Sequence, residues 1–338
     1  MTVYGIDPAA DAFVATRYPR TGNGPLGDPA SFENSADGVA AFRAAIAAGD
    51  PDALVAVENT GVYSELLCYE LHAAGVPLLL LDPGAVHRAF PAGPKTDPID
   101  AARAAEYAHR YADRLARWAP HAAVVEQVRV LLATREQLVR QRTATVNARA
   151  SLQRKVVQTP GANAALDSVA EHLQAQVRAI EEELTRLVGG HPTLAAGVAL
   201  LVGVPGVGLL LASQMLVLTS GFTAVPVYRS LAQRLGVAPN AHESGRSVRG
   251  RPRSRGYGPP AVRKLLHLAA RSLRTHEGRA RSYYEEKVGS GKAKRLVLNN
   301  LANRLLRVMC GVLRDGTPYR AGHVSVSPVL LTSHRQSG

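Results

Sequence analysis

A chain of 338 residues, 46% hydrophobic but only 5% aromatic, has room for two or three units with aliphatic cores, which suits helices and a parallel-rich sheet better than an aromatic sandwich. The longest apolar runs, 76–81 and 209–218, are too short to cross a bilayer, and the N-terminus lacks the charged start and apolar stretch of a secretory signal. Its net charge of +13 is unevenly divided: residues 1–100 hold five Lys or Arg against thirteen Asp or Glu, a balance of −8, and the remainder holds 35 against 14, a balance of +21. A body that basic concentrates a polyanion, most simply DNA or RNA. The two cysteines, Cys68 and Cys310, lie in apolar helical patterns and are expected as core residues of a reduced, cytoplasmic protein.

From the N-terminus, Val3 to Ile6 reads as a strand ending at Asp7, Ala12 to Tyr18 as a second strand, and the region of Phe32 as a third. Ser35 is placed to cap a helix running to about Ala48. Ala53 to Val57 is a short buried strand with Glu58 at its end. A helix from Tyr63 to Ala74 leads into the strand Val76 to Leu81, and after a loop from Asp82 to Thr96 a helix is expected over Pro98 to Trp118. Three strands followed by alternating helices and strands describe an α/β domain of ribonuclease-H type over residues 1–118. Two long helices broken at Thr159-Pro160-Gly161 predict an antiparallel helical hairpin over 119–190, a coiled coil suited to dimerisation. A mostly helical domain then occupies 191–318, interrupted by a polar loop from Gly236 to Pro259, and 319–338 reads as a loose tail.

Four acidic residues stand where a site can form. Asp7 and Glu58 end strands, and Asp97 and Asp100, spaced i, i+3, open one face of a helix. Clustered carboxylates repel unless a cation joins them, and hard oxygen ligands suit Mg2+ or Mn2+ in phosphoryl transfer. Each also has a structural reading: Asp7 before Pro8 suits a turn, and Asp97 and Asp100 suit a helix N-terminus. Glu58, at the edge of an otherwise apolar strand, is the hardest to explain structurally.

In the basic part, LLVGVPGVGLLLASQML has the form of a helix-hairpin-helix, in which Gly206 and Gly208 let backbone amides face a phosphate; an ordinary helical turn is the alternative. HESGRSVRGRPRSRGYG places Arg246, Arg249, Arg251, Arg253 and Arg255 within ten residues, a density of one sign that calls for phosphates. Ser244 precedes Gly245 and opens this cluster, with Ser247 and Ser254 as nearby rivals.

The motifs YGID, VENTGVY, KTDPIDA, GVPGVG and LGVAPNAHESGRSVRGR, in this order over roughly residues 3 to 315, resemble those of the insertion sequence one-ten family of transposases and the related Piv/MooV invertases. The resemblance implies a RuvC-like domain in which Asp7, Glu58, Asp97 and Asp100 bind Mg2+, and a back domain in which Ser244 attacks the DNA phosphate to give a phosphoserine. It also implies a structured guide, the bridge RNA, which pairs with donor and target DNA, and dimers that assemble into tetramers with an active site shared between subunits. The alternatives on residue chemistry alone are a RuvC or ribonuclease-H-like metal nuclease that uses water, which leaves the Ser244 segment without a role, and a non-enzymatic nucleic-acid-binding protein, which leaves the carboxylates without one.

Overall fold

The computed structural model describes residues 2–19, 28–48, 50, 52–223, 227–244, 248–254 and 258–320, with backbone alone over 240–253. The chain divides into two compact units, Met1–Pro120 and His121–Gly338.

Unit 1 is a five-stranded sheet with helices on both faces. Its strands are β1 (Val3–Pro8), β2 (Ala12–Tyr18), β3 (Ala30–Glu33), β4 (Leu54–Glu58) and β5 (Leu78–Leu81), in spatial order β3-β2-β1-β4-β5. The first three are antiparallel, whereas β4 lies parallel to both β1 and β5. That is the mixed sheet expected from the order of the elements. Strand β1 sits at its centre, and so it is apolar on both faces up to Asp7.

Helices α1 (Ala36–Ala47) and α2 (Val62–Ala73) cover one face, where Tyr4, Ile6, Phe13, Val55, Val57, Phe42 and Leu67 form a core. The hydroxyl of Ser35 caps α1 by accepting from the Gly38 amide at 3.2 Å, as its sequence position implies. The other face, bearing Val3, Leu54, Ala56 and Leu79, is covered by α3 (Pro83–Ala89) and α4 (Asp97–Tyr111). Two expectations need correction. The loop from Asp82 to Thr96 contains α3, because the Asp82 carboxylate accepts from the Ala85 amide at 2.9 Å and Pro83 is pre-set for a first helical position. Helix α4 stops at Tyr111, not near Trp118; Trp118 instead donates its backbone N–H to Leu78 at the sheet.

Unit 2 opens with α5 (Ala123–Leu152) and α6 (Pro160–Gly189), each of 30 residues, which form the expected antiparallel hairpin. Arg135 meets Glu181 at 2.5 Å and Arg149 meets Asp167 at 2.8 Å along it. The expected step at 190–191 falls inside this unit: Val125, Val128, Leu184 and Val188 at the hairpin base share one core with α7 (Pro192–Val202), α8 (Leu209–Leu218), α9 (Tyr228–Arg234), α10 (Pro260–His276), α11 (Gly278–Gly289) and α12 (Lys294–Asp315). Among the described residues α12 is the one helix long and apolar enough to cross a membrane. Its Val297, Leu301, Leu306 and Met309 are buried in the unit, as in a core helix. Cys68 and Cys310 are buried free thiols, and desolvation pushes them up to about 12 and about 11.

The stretch expected as a polar loop, Gly236 to Pro259, instead contains a two-stranded antiparallel ribbon, β6 (Pro239–Ser244) and β7 (Val248–Ser254). The absence of an apolar face pointed to a loop, but a ribbon is held by its backbone ladder and needs no buried face. Between Asn240 and His242 the register shifts, so Ala241 faces Arg251 and Pro252 together. Proline has no N–H for the ladder, and a bulge is where a strand tolerates it. The expected tail falls, from residue 321 onwards, outside the described residues.

Candidate active site

Strand parity and register bring two of the four acidic residues together. Side chains alternate along a strand, so Asp7 faces the same side as Val3 and Gly5, and Glu58 the same side as Leu54 and Ala56. That side is the one covered by α4. The parallel register runs from Val3 opposite Leu54 to Ile6 opposite Val57; one residue further, Asp7, next to last in β1, and Glu58, last in β4, lie on neighbouring strands whose backbones are about 4.8 Å apart. The Asn59 amide bonds to Leu81, the Asn59 side chain accepts from the Gly61 amide, and Gly61 adopts φ 72°, which turns the chain sharply into α2 beyond Glu58. Asn34 braces the rim by donating to the carbonyls of Ala9 and Tyr63, at 2.8 Å each.

Helix α4 brings the other two. Its buried stripe, Ala101, Ala104, Ala105 and Ala108, is made only of alanine, so the helix settles close to the sheet. At Gly5 the approach leaves no room for a side chain: a Cβ on that residue would stand 2.0 Å from the Ala101 carbonyl oxygen and 2.4 Å from the Ala105 nitrogen. Asp97 precedes Ala101 by four residues, and Asp100 precedes Ala104 by four, so both extend the sheet-facing stripe into the first turn.

The electrostatics show the convergence. Burial and then the charges of Glu58, Asp97 and Asp100 push the Asp7 carboxyl up to about 6, and burial and Asp100 push Glu58 up as well. Lys95 opposes both shifts, and Arg103 pairs with Asp100 at 3.5 Å. Four carboxylates against these two cations leave a formal −2, the charge that one divalent ion offsets, and every donor is a hard oxygen with no Cys or His among them. Among the described residues no three acidic, Cys or His side chains stand close enough to hold an ion as they are, so binding requires the carboxylates to draw inward. The donor set fits a divalent metal; the side-chain positions do not yet enclose one. Sequence reading missed Gly5, the alanine stripe, Lys95 and Arg103, although an i, i+4 row of alanines running out of an acidic pair was a readable sign.

The remaining expected residues lie in unit 2. Gly206, at φ 83°, packs under α10, where a Cβ would meet the Ala269 carbonyl at 2.9 Å, and Gly208 directly precedes α8. These glycines border a pocket lined mainly by Leu209, Leu210, Leu265 and Leu268, with Glu181 at its edge; its apolar walls give no separate sign of a phosphate. Ser244 is the last residue of β6, opposite Val248. Arg249, Arg251 and Arg253 are on β7, while Arg246, Ser247 and Arg255 lie outside the described residues.

Comparison with known proteins bears on both units. A family model of the DEDD type, described as Transposase, matches residues 4–156, which include all four carboxylates. A second, described as Transposase IS116/IS110/IS902 family, matches residues 198–285, which include Gly206, Gly208, Ser244 and the arginine strand. An insertion element IS110 protein of 43.6 kDa from Streptomyces coelicolor is 30% identical over 177 residues, covering 51% of this chain and 42% of the relative. The chain thus spans less than half the length of that relative. The pilin gene-inverting protein of Moraxella lacunata is 22% identical over 271 residues, covering 78% of this chain and 80% of its own. An insertion element IS116 protein of 44.8 kDa from Streptomyces clavuligerus is 29% identical over 111 residues, 33% of this chain and 28% of its own. With both models matching in chain order, the chain belongs to the IS110 family of transposases.

Proposed function

We propose that the protein is a DNA transposase or recombinase that cuts and rejoins strands through a covalent phosphoserine on Ser244. In this reading Mg2+, or Mn2+ in its place, is held by Asp7, Glu58, Asp97 and Asp100, and a structured guide RNA selects donor and target DNA. The observation that carries the proposal is that, at one end of the unit 1 sheet, burial together with the charges of Glu58, Asp97 and Asp100 pushes the Asp7 carboxyl up to about 6. A structural acidic cluster gains nothing from such repulsion.

A divalent ion bound there supplies charge neutralisation to the phosphate under attack. The chain's own residues supply the rest. The Ser244 oxygen forms a bond to phosphorus as one bridging P–O bond breaks, and the proton lost by serine ends on the leaving strand's oxygen. The number of phosphoester bonds is unchanged, so rejoining is the reverse step and needs no ATP. The arginines on and around β7 bind non-bridging oxygens, and the amides near Gly206 and Gly208 hold a second backbone position. The guide RNA reading is supported by the basic excess after residue 100 and by the family. The long α5–α6 hairpin offers a surface for dimers that assemble into tetramers. A relative named as a pilin gene-inverting protein supports DNA rearrangement as the outcome, carried out in the cytoplasm on nucleoid DNA.

The test is a covalent adduct between the protein, with the nucleic acid it copurifies with, and labelled DNA spanning the junction of its own element. Peptide mapping should find the phosphate on Ser244. Ser244→Ala should lose the adduct, whereas Ser247→Ala and Ser254→Ala should keep it. Strand cleavage without any adduct would favour a water-using nuclease, and binding without cleavage a non-enzymatic protein.

A further inference from the structure

The strand that ends at Ser244 is fastened at its base by one buried and two half-buried polar side chains. Val237, two residues before β6, is fully buried. Its carbonyl accepts from Asn303 at 2.6 Å and from Asn299 at 3.0 Å, both on α12. The Tyr228 hydroxyl, on α9, donates to the Asn303 side-chain oxygen at 3.2 Å. The Val237 and Ala238 amides both donate to the Ala232 carbonyl, at 3.0 and 3.1 Å. On the far side of the ribbon in sequence, Gly258, at φ 80°, passes so close to α9 that a Cβ would stand 2.0 Å from the Arg234 carbonyl oxygen.

Asn299 and Asn303 are spaced i, i+4 on α12, among buried Val297, Leu301, Leu305 and Leu306. A leucine would fill such a position if burial were all that mattered, and a buried amide is costly unless its hydrogen bonds are used. Here they saturate one carbonyl, and that carbonyl is the root of the strand bearing Ser244.

We infer that Asn303, with Asn299 and Tyr228, is a positioning latch that aims the nucleophile by fixing the base of its ribbon; the inference rests on the reading of Ser244 as nucleophile. From Pro239 to Ser244 the strand is a lever of about 17 Å. A tilt of about 3° at Val237 therefore moves the serine by about 1 Å, a misplacement that costs on the order of 100-fold in rate.

The experiment is single-turnover formation of the adduct at saturating junction DNA, using the full chain with its copurifying nucleic acid, after mapping has located the wild-type adduct. Asn303→Leu should lower the rate constant about 100-fold while the final amplitude and the DNA affinity stay within about twofold of wild type. Tyr228→Phe, which keeps both bonds to Val237, should slow it about fivefold, the equivalent of one hydrogen bond. A merely structural role would do the opposite, reducing amplitude through loss of folded protein and leaving the rate constant alone. That pattern in Asn303→Leu, or a wild-type rate constant in both variants, overturns the latch while the serine reading stands. If Asn303→Leu does not fold, Tyr228→Phe decides, and an unchanged rate constant overturns the latch. An adduct mapped to another residue overturns the serine reading and the latch with it.

Discussion

The close seat of α4 on β1 makes Gly5→Ala the most informative substitution in unit 1. The new methyl would lie 2.0 Å from the Ala101 oxygen and 2.4 Å from the Ala105 nitrogen. Both are helix backbone atoms, so no side chain can swing away, and α4 has to lift by about 1 Å to approach ordinary contact distance. Overpacking of this kind costs about 1–3 kcal/mol, equivalent to about 4–12 °C in the unfolding midpoint of a unit this size. The same lift carries Asp97 and Asp100 away from Asp7 and Glu58, and a displacement of about 1 Å at reacting groups costs on the order of 100-fold in rate. Gly38→Ala is the control: its methyl would also stand 2.0 Å from a backbone oxygen, that of Glu33, but on α1, whose core lies on the opposite face of the sheet. Thermal unfolding and single-turnover adduct formation, run on both variants, separate the two effects. Both should melt earlier, and only Gly5→Ala should lose rate. Equal slowing by Gly38→Ala, or a wild-type rate in Gly5→Ala, would refute the claim that Gly5 sets the carboxylate geometry.

Three other outcomes follow from the site. Asp7→Asn should abolish recombination, keep nucleic-acid binding, and show none of the rise in unfolding midpoint that Mg2+ should give the wild type, as read by thermal melts with and without the ion. Because the folded-state value of Asp7 is raised to about 6, its charged form destabilises the metal-free fold; the stability of wild type relative to Asp7→Asn is therefore greatest below about pH 4 and lost as pH rises towards 6. Two units correspond to about 3 kcal/mol for a sealed group, and solvent screening at this half-buried site reduces that to about 1 kcal/mol, measurable in urea melts at pH 4 and pH 7. The purified protein should retain a discrete noncoding RNA whose affinity falls steeply with salt, and full recombination after ribonuclease treatment would contradict guidance by RNA.

Much of this was legible in the sequence, for identifiable reasons. Asp7 and Glu58 each end an apolar run, so the strand ends and their charges coincide, and the i, i+3 pair in KTDPIDA marks a helix start. Charge alone did not reveal how the helix reaches the strands. That depends on Gly5 and on four alanines whose role is to be small, and smallness leaves little trace in a hydrophobic pattern. The ribbon over 239–254 was missed because its ladder uses backbone groups, whereas the sequence displays side chains. Asn299 and Asn303 escaped notice for a related reason: an asparagine pair on an amphipathic helix resembles a solvated edge until Val237 is found between them.

In the proposed mechanism, the division of charge gives the carboxylate site a need for a cation before it can meet DNA at all. Residues 1–120 carry nine basic and fifteen acidic residues, a balance of −6, and the remainder carries 31 and twelve, a balance of +19. Attraction for phosphates thus belongs to unit 2. A phosphate about 5 Å from one unneutralised carboxylate is repelled by about 3 kcal/mol at an effective dielectric of about 20, and four carboxylates with two nearby cations leave a net repulsion of that order or larger. Nucleic acid can therefore bind the basic unit while being held off the acidic one. A divalent ion cancels that charge, so in the proposed mechanism the cation that completes the chemistry also admits the substrate. On this argument loss of carboxylate charge should leave binding unchanged or slightly tighter while abolishing cleavage, and a carboxylate variant that binds nucleic acid much more weakly than wild type would show that unit 1 contributes attraction of its own.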